Sequence, residues 1–118
     1  MKSLISAFTF ALLLTGTASA NEIFLGAWSS GAKEVLQISK DDKGYTAKFV
    51  RENVKAEFEK VQFPAQMKDG ALVISGQQGD LSARYDEGNK LLILGGMKAF
   101  QKLTTEQANT LISNMEKN

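Results

Sequence analysis

The chain contains no histidine and no cysteine. Nucleophile systems that rest on Ser-His or Cys-His pairs are therefore excluded, as are zinc and copper sites built from His or Cys. Carboxylates are what is left for general acid–base chemistry. Two pairs stand close in sequence, Glu57 with Glu59 and Asp86 with Glu87. The alternation around the first pair predicts the wet face of a strand, and the second pair lies in a turn. Neither is bracketed by apolar residues that would raise a carboxyl pKa, so the pattern points away from an enzyme. Asp41-Asp42-Lys43-Gly44 sets two aspartates side by side before a lysine. Calcium requires about six to eight oxygen ligands, usually from an alternating acidic pattern, so this run reads as a type I turn with a glycine bulge. Met67, Met97 and Met115 are too scattered for a copper site and read as core filler. No metal and no cofactor is expected.

Binding is the chemistry that remains. Polar side chains cluster at glycine-punctuated turns: Ser29 and Ser30, then Gln77 and Gln78 between Gly76 and Gly79, then Arg84, Asp86, Glu87 and Lys90 around Gly88. These residues are the candidate partner-binding loops, and Ser29–Gly31, Gly76–Gly79 and Asp86–Lys90 are expected to share one end of the molecule. Lys2 falls in the leader described below, and the remaining basic residues balance the 13 acidic ones. No basic stripe is present, which excludes nucleic acid, whose phosphates need clustered Lys and Arg.

Turn signals recur every 8–12 residues or so, the spacing of an all-β sandwich or barrel. They fall at Ser29-Ser30-Gly31, Asp41–Gly44, Glu52-Asn53, Pro64–Gly70, Gly76–Gly79, Asp86–Asn89 and Gly95-Gly96. Between them, Val35–Ser39, Tyr45–Phe49, Val54–Phe58 and Leu81–Tyr85 alternate apolar and polar residues. Val61 and Phe63 continue after Phe58 on the other parity, which predicts a β-bulge near Glu59-Lys60. Leu72–Ile74 and Leu91–Leu94 are continuous apolar runs, as in short central strands. With Ile23–Trp28 first and Met97–Leu103 last, the count reaches eight strands. Short connections make sequence neighbours antiparallel neighbours. The expected fold is mainly β, an antiparallel up-and-down barrel, closed or half-open, with a C-terminal helix over 104–117. Thr104 and Gln107 form a capping-box pattern, and Ala108, Leu111, Ile112 and Met115 recur at helical spacing.

The N-terminus predicts export. Lys2 precedes the apolar run Leu4–Leu14, followed by Thr15-Gly16-Thr17 and the small residues Ala18-Ser19-Ala20. This is the pattern of a signal peptide over 1–20, cleaved near Ala20. The run is about half the roughly 20 residues that a membrane-spanning helix needs. With no cysteine to carry a lipid, the expected product is a free single domain over 21–118, periplasmic or secreted, bacterial in style. It must fold without disulfides, on apolar packing and backbone pairing.

Phe24-Leu25-Gly26-Ala27-Trp28 places a Gly-x-Trp on the first strand, with a helix after the last. In this the chain resembles the lipocalin-like (calycin) group. The resemblance implies that the tryptophan plugs the closed end of a barrel. The strands here are about 5–7 residues long, shorter than in barrels with a roomy interior, so Phe49, Phe58, Tyr85 and the leucines are expected to fill the inside. Ser82-Ala83-Arg84-Tyr85-Asp86-Glu87-Gly88-Asn89-Lys90 is also similar to a stretch of the inhibitor families for c-type lysozyme, small periplasmic eight-stranded barrels. Those families carry a Ser-Gly-x-x-Tyr and a Tyr-x-x-Gly-x-x-Lys stretch and insert a loop into the lysozyme cleft. Tyr85 and Gly88 keep the second spacing, but Lys90 comes one position early. Ser75-Gly76 begins the first, with Gly79 where the tyrosine should be. The disulfide common in those families is impossible here. The expected function is thus a non-enzymatic exported binding protein that takes a protein partner through barrel-end loops, as an inhibitor or immunity-type protein. The alternatives are a carrier of a small apolar ligand inside the barrel and an envelope assembly subunit.

Overall fold

The computed structural model describes residues 22–117, so the expected signal peptide lies outside the described residues. Eight strands follow in order: β1 (Gly26–Gly31), β2 (Glu34–Asp41), β3 (Gly44–Glu52), β4 (Phe58–Lys68), β5 (Ala71–Gly76), β6 (Gly79–Asp86), β7 (Leu91–Leu94) and β8 (Lys98–Leu103). Each pairs antiparallel with the next, and β1 also pairs with β8 through Ala27↔Leu103, Trp28↔Lys102 and Ser29↔Gln101. The result is the expected up-and-down barrel, closed and not half-open, followed by α1 (Thr105–Glu116). Among the described residues, no helix is long and apolar enough to cross a membrane.

Alternation along each strand sends every second side chain inward. Trp28, Leu36, Phe49, Ile74, Leu92 and Phe100 pack there with their neighbours in one buried cluster. Trp28 is 1% exposed and fills the interior at the end where β1 begins. Its indole Nε1 donates to the Phe24 carbonyl at 3.0 Å, and its ring meets Tyr85 edge-on with centroids 6.2 Å apart. The Lys102 ammonium lies 4.8 Å from the Trp28 ring centre and donates to the Leu25 carbonyl. Burial pushes the Lys102 pKa down, since the charged form loses hydration there. Gly26 supplies the backbone turn beside this lysine. Its φ is +118°, and a Cβ would stand 2.6 Å from Lys102 Nζ.

The outer surface carries a second apolar cluster. Val35, Val50 and Ala27 face outward from the barrel and are covered by Ala108, Leu111, Ile112 and Met115 of α1. The capping box forms as expected: Thr104 Oγ1 accepts from the Gln107 N–H at 3.1 Å, and Gln107 Oε1 accepts from the Thr104 N–H at 2.9 Å.

Several local expectations are corrected. Residues 53–57 are a turn, and β4 begins only at Phe58. Asn53 Oδ1 accepts from the Lys55 and Glu57 N–H groups, and Ala56 takes a φ of +62°, so this run curls back instead of extending. No bulge interrupts β4 near Glu59-Lys60, because its register with β3 is continuous from Phe58 to Ala65. The change of parity has another cause: Phe58 faces outward into the helix-side cluster, while Val61 and Phe63 face inward. Phe58 is therefore not part of the barrel filling. The register shift that does occur lies between Ser29 and Gly31. Pro64 does not end the strand. β4 runs on to Lys68, and its pairing with β5 starts only at Ala65, so the missing proline N–H breaks no ladder on that side. Met97 is not core filler either, since it is 91% exposed in the β7–β8 turn.

Candidate functional site

A meander reverses at each turn, so its turns alternate between two ends. The β2–β3, β4–β5 and β6–β7 turns lie at the end plugged by Trp28. The β1–β2, β3–β4, β5–β6 and β7–β8 turns lie at the other, open end. This parity divides the candidate residues. Ser29, Ser30, Gln77 and Gln78 belong to the open end. Asp86, Glu87 and Lys90 belong to the plugged end, and exposed Arg84 stands on the outer wall of β6 between them. The three loops therefore do not share one end, contrary to expectation.

The Asp86–Lys90 turn is also closed upon itself. Asp86 accepts from the Gly88 and Asn89 N–H groups at 3.1 and 3.4 Å and from the Asn89 side-chain amide at 2.9 Å. These bonds, the Asn89 amide first, hold the Asp86 carboxyl below its ordinary range. The Asp41–Gly44 turn is similarly local, with Asp41 accepting from the Lys43 N–H at 2.8 Å.

The open end carries two features that the sequence pattern did not reveal. The first is a charged mouth where the inward side of the wall turns from apolar to polar. Glu34 is only 8% exposed. It accepts from Ser30 Oγ at 2.8 Å, is paired with Lys98 Nζ, and lies 3.9 Å from the Arg51 guanidinium. Arg51 Nε donates to Glu59 at 2.7 Å, and Asn53 Nδ2 donates to the same carboxylate at 3.2 Å. Those two bonds, Arg51 first, hold the Glu59 carboxyl below its ordinary range. Lys33 pairs with Glu52 at 3.4 Å beside them. The carboxylates are thus matched by cations around an open cavity of about 530 Å³. Glu57 and Glu59, paired in the sequence reading, are bridged here by the Asn53 amide. Among the described residues, no group of three His, Cys, Asp or Glu side chains is placed to hold a metal ion.

The second feature is a projecting hairpin. β5 leaves β4 after Ile74, and β6 joins β7 only from Ala83. Ser75, Gly76, Gly79, Asp80, Leu81 and Ser82 are therefore laddered only within the hairpin, with one bond from the Gly95 N–H to the Ser82 carbonyl, 2.8 Å long, at its base. Gln77 and Gln78 form its exposed tip. Gly79 turns the chain at a φ of +123°, a conformation that side-chain-bearing residues rarely adopt. Among the described residues, the exposed large apolar side chains, Val54, Met97 and Leu81, all belong to this end. Surface apolar groups gathered in one place mark interaction sites more often than scattered ones do. Sequence reasoning missed Val54 and Met97, because it set both in strands and Met97 in the core, whereas both are exposed in turns. No protein-family model, no curated protein and no solved structure matches this chain.

Proposed function

We propose that the chain is a non-enzymatic, exported binding protein that engages a protein partner through the open end of its barrel, as an inhibitor or immunity-type partner of a periplasmic enzyme. The observation that carries this reading is the β5–β6 hairpin. It stands clear of the wall, with Gln77 and Gln78 at its tip and Leu81 at its base, and can enter a cleft without disturbing the barrel. Val54 and Met97 supply apolar contact on the same end. The apolar-carrier reading has less support, because Trp28, Phe49, Leu92 and Phe100 occupy the space a ligand would need.

The absence of native cysteine allows a clean test. A photo-crosslinker is attached to a cysteine placed at Gln78, and separately to one at Lys43 on the plugged end, and each protein is irradiated in periplasmic extract. A discrete adduct from position 78 and none from position 43 is expected. Equal adducts from both positions, or none from position 78, would reject the reading. Activity of c-type lysozyme at a large excess of the protein tests that single target separately.

A further inference from the structure

Among the described residues, β4 has a partner on only one side along the run from Phe58 to Pro64. That run pairs with β3, from Glu52↔Phe58 to Thr46↔Pro64. Pairing with β5 starts only at Ala65↔Ile74. Continuing the same register would set Pro64 against Ser75 and Phe63 against Gly76, but the hairpin diverges before either pair forms. The barrel wall is slotted here, with the β4 edge on one side and the projecting hairpin on the other. Unpaired backbone N–H and C=O groups along such an edge are a template for an added strand.

The side chains at the slot specify what that strand would be. Val61 and Phe63 face inward, half-buried, and pack against the barrel core. Leu81 lines the hairpin side and is 46% exposed. On the outer face the β4 edge presents Lys60, with Lys48 on the adjacent strand. Neither lysine has an ion-pair partner among the described residues. An incoming strand thus meets apolar positions on one face and positive charge on the other, and opposite charges across a strand pair are favourable while like charges are not. Two copies of this chain pairing antiparallel through the edge would gather their Lys60 side chains on one face.

We propose that the slot takes an extended, acidic segment of a partner protein. Its main chain pairs with β4, its alternate apolar side chains turn inward beside Val61 and Phe63, and its carboxylates face Lys60 and Lys48. This deepens the partner-binding reading above and rests on it. The test uses two synthetic probes, acetyl-Glu-Val-Glu-Val-Glu-Val-Glu-amide and the same peptide with lysine in place of glutamate, titrated into the isotopically labelled protein and followed by amide NMR shifts. Saturable shifts confined to the amides of Phe58–Phe63 and the facing hairpin are expected, with the acidic peptide roughly tenfold tighter than the basic one. Lys60→Glu reverses that preference. Equal response to both peptides, shifts elsewhere, or none at millimolar peptide would overturn the proposal. Concentration-dependent shifts of the β4 amides without peptide would overturn it in favour of a second copy. Failure of the peptides leaves the crosslinks from position 78 untouched, whereas loss of those crosslinks with peptide binding intact removes the hairpin-tip reading alone.

Discussion

At the residue scale, the charges at the open end make stability depend on pH in a definite sense. Glu59 is held below the ordinary carboxyl value of 4.5 by its bonds from Arg51 and Asn53. A carboxyl whose folded pKa lies below its unfolded value contributes stability fully above the unfolded pKa, and that contribution is lost as pH falls through the folded one. Asp86 acts in the same direction from the opposite end of the barrel. Lys102 gives a slope of the same sign in the alkaline range, but through a cost and not a contribution. Burial depresses its pKa, so the cost of keeping its charge is relieved as pH rises through the folded value towards 10.5. Urea midpoints measured between neutral pH and about pH 3 should therefore fall less steeply for Glu59→Gln than for the unaltered chain. Parallel profiles for the two proteins would show that the Arg51–Glu59 pair adds nothing. Neither aspect of this network follows from spacing, because Glu34, Arg51, Glu59 and Lys98 come from four different strands.

At the element scale, the features decided by neighbouring residues were legible, and those decided by a packing partner were not. The capping box at Thr104 and Gln107 depends on residues three apart, and both of its bonds form. Thr104→Ala should cost about 1 kcal/mol of stability in urea unfolding. A change under roughly 0.3 kcal/mol would mean that α1 is held by its apolar face and not by its cap. The Lys68–Ala71 turn is similar. Asp69 and Gly70 both take positive φ, at 52° and 82°, as a two-residue Asp-Gly hairpin requires. The start of β4 was different. Val54–Phe58 alternates well enough for a strand, but its backbone hydrogen bonds go to the Asn53 side chain and within the turn. Phe58 then turns outward because α1 supplies apolar cover on that side, and nothing near Phe58 in the chain announces a helix that arrives near residue 105.

At the scale of the whole molecule, the barrel is closed in connectivity and filled in its interior, yet slotted between β4 and β5. The aromatic and aliphatic side chains of the inward cluster leave the space between the sheet walls occupied by protein. A fluorescent apolar probe such as anilinonaphthalene sulfonate should therefore fail to bind stoichiometrically or to quench Trp28, the single tryptophan. One-to-one binding accompanied by Trp28 quenching would return the apolar-carrier reading to first place. Polar and apolar groups segregate differently at the two ends. The plugged end buries its tryptophan under Phe24 and Lys102 and finishes in self-contained turns. The open end exposes Val54, Met97 and Leu81 around charges that are already paired.

By itself the sequence determined the class of fold, the order of the eight strands and the terminal helix. Each rests on short-range alternation, turn residues and capping, which act over a few neighbouring positions. The tertiary structure alone decided which turns share an end, which carboxylates meet which cations, and where β4 loses its partner. Those properties depend on strand register and on shear around the barrel, and both are set by the simultaneous pairing of all eight strands.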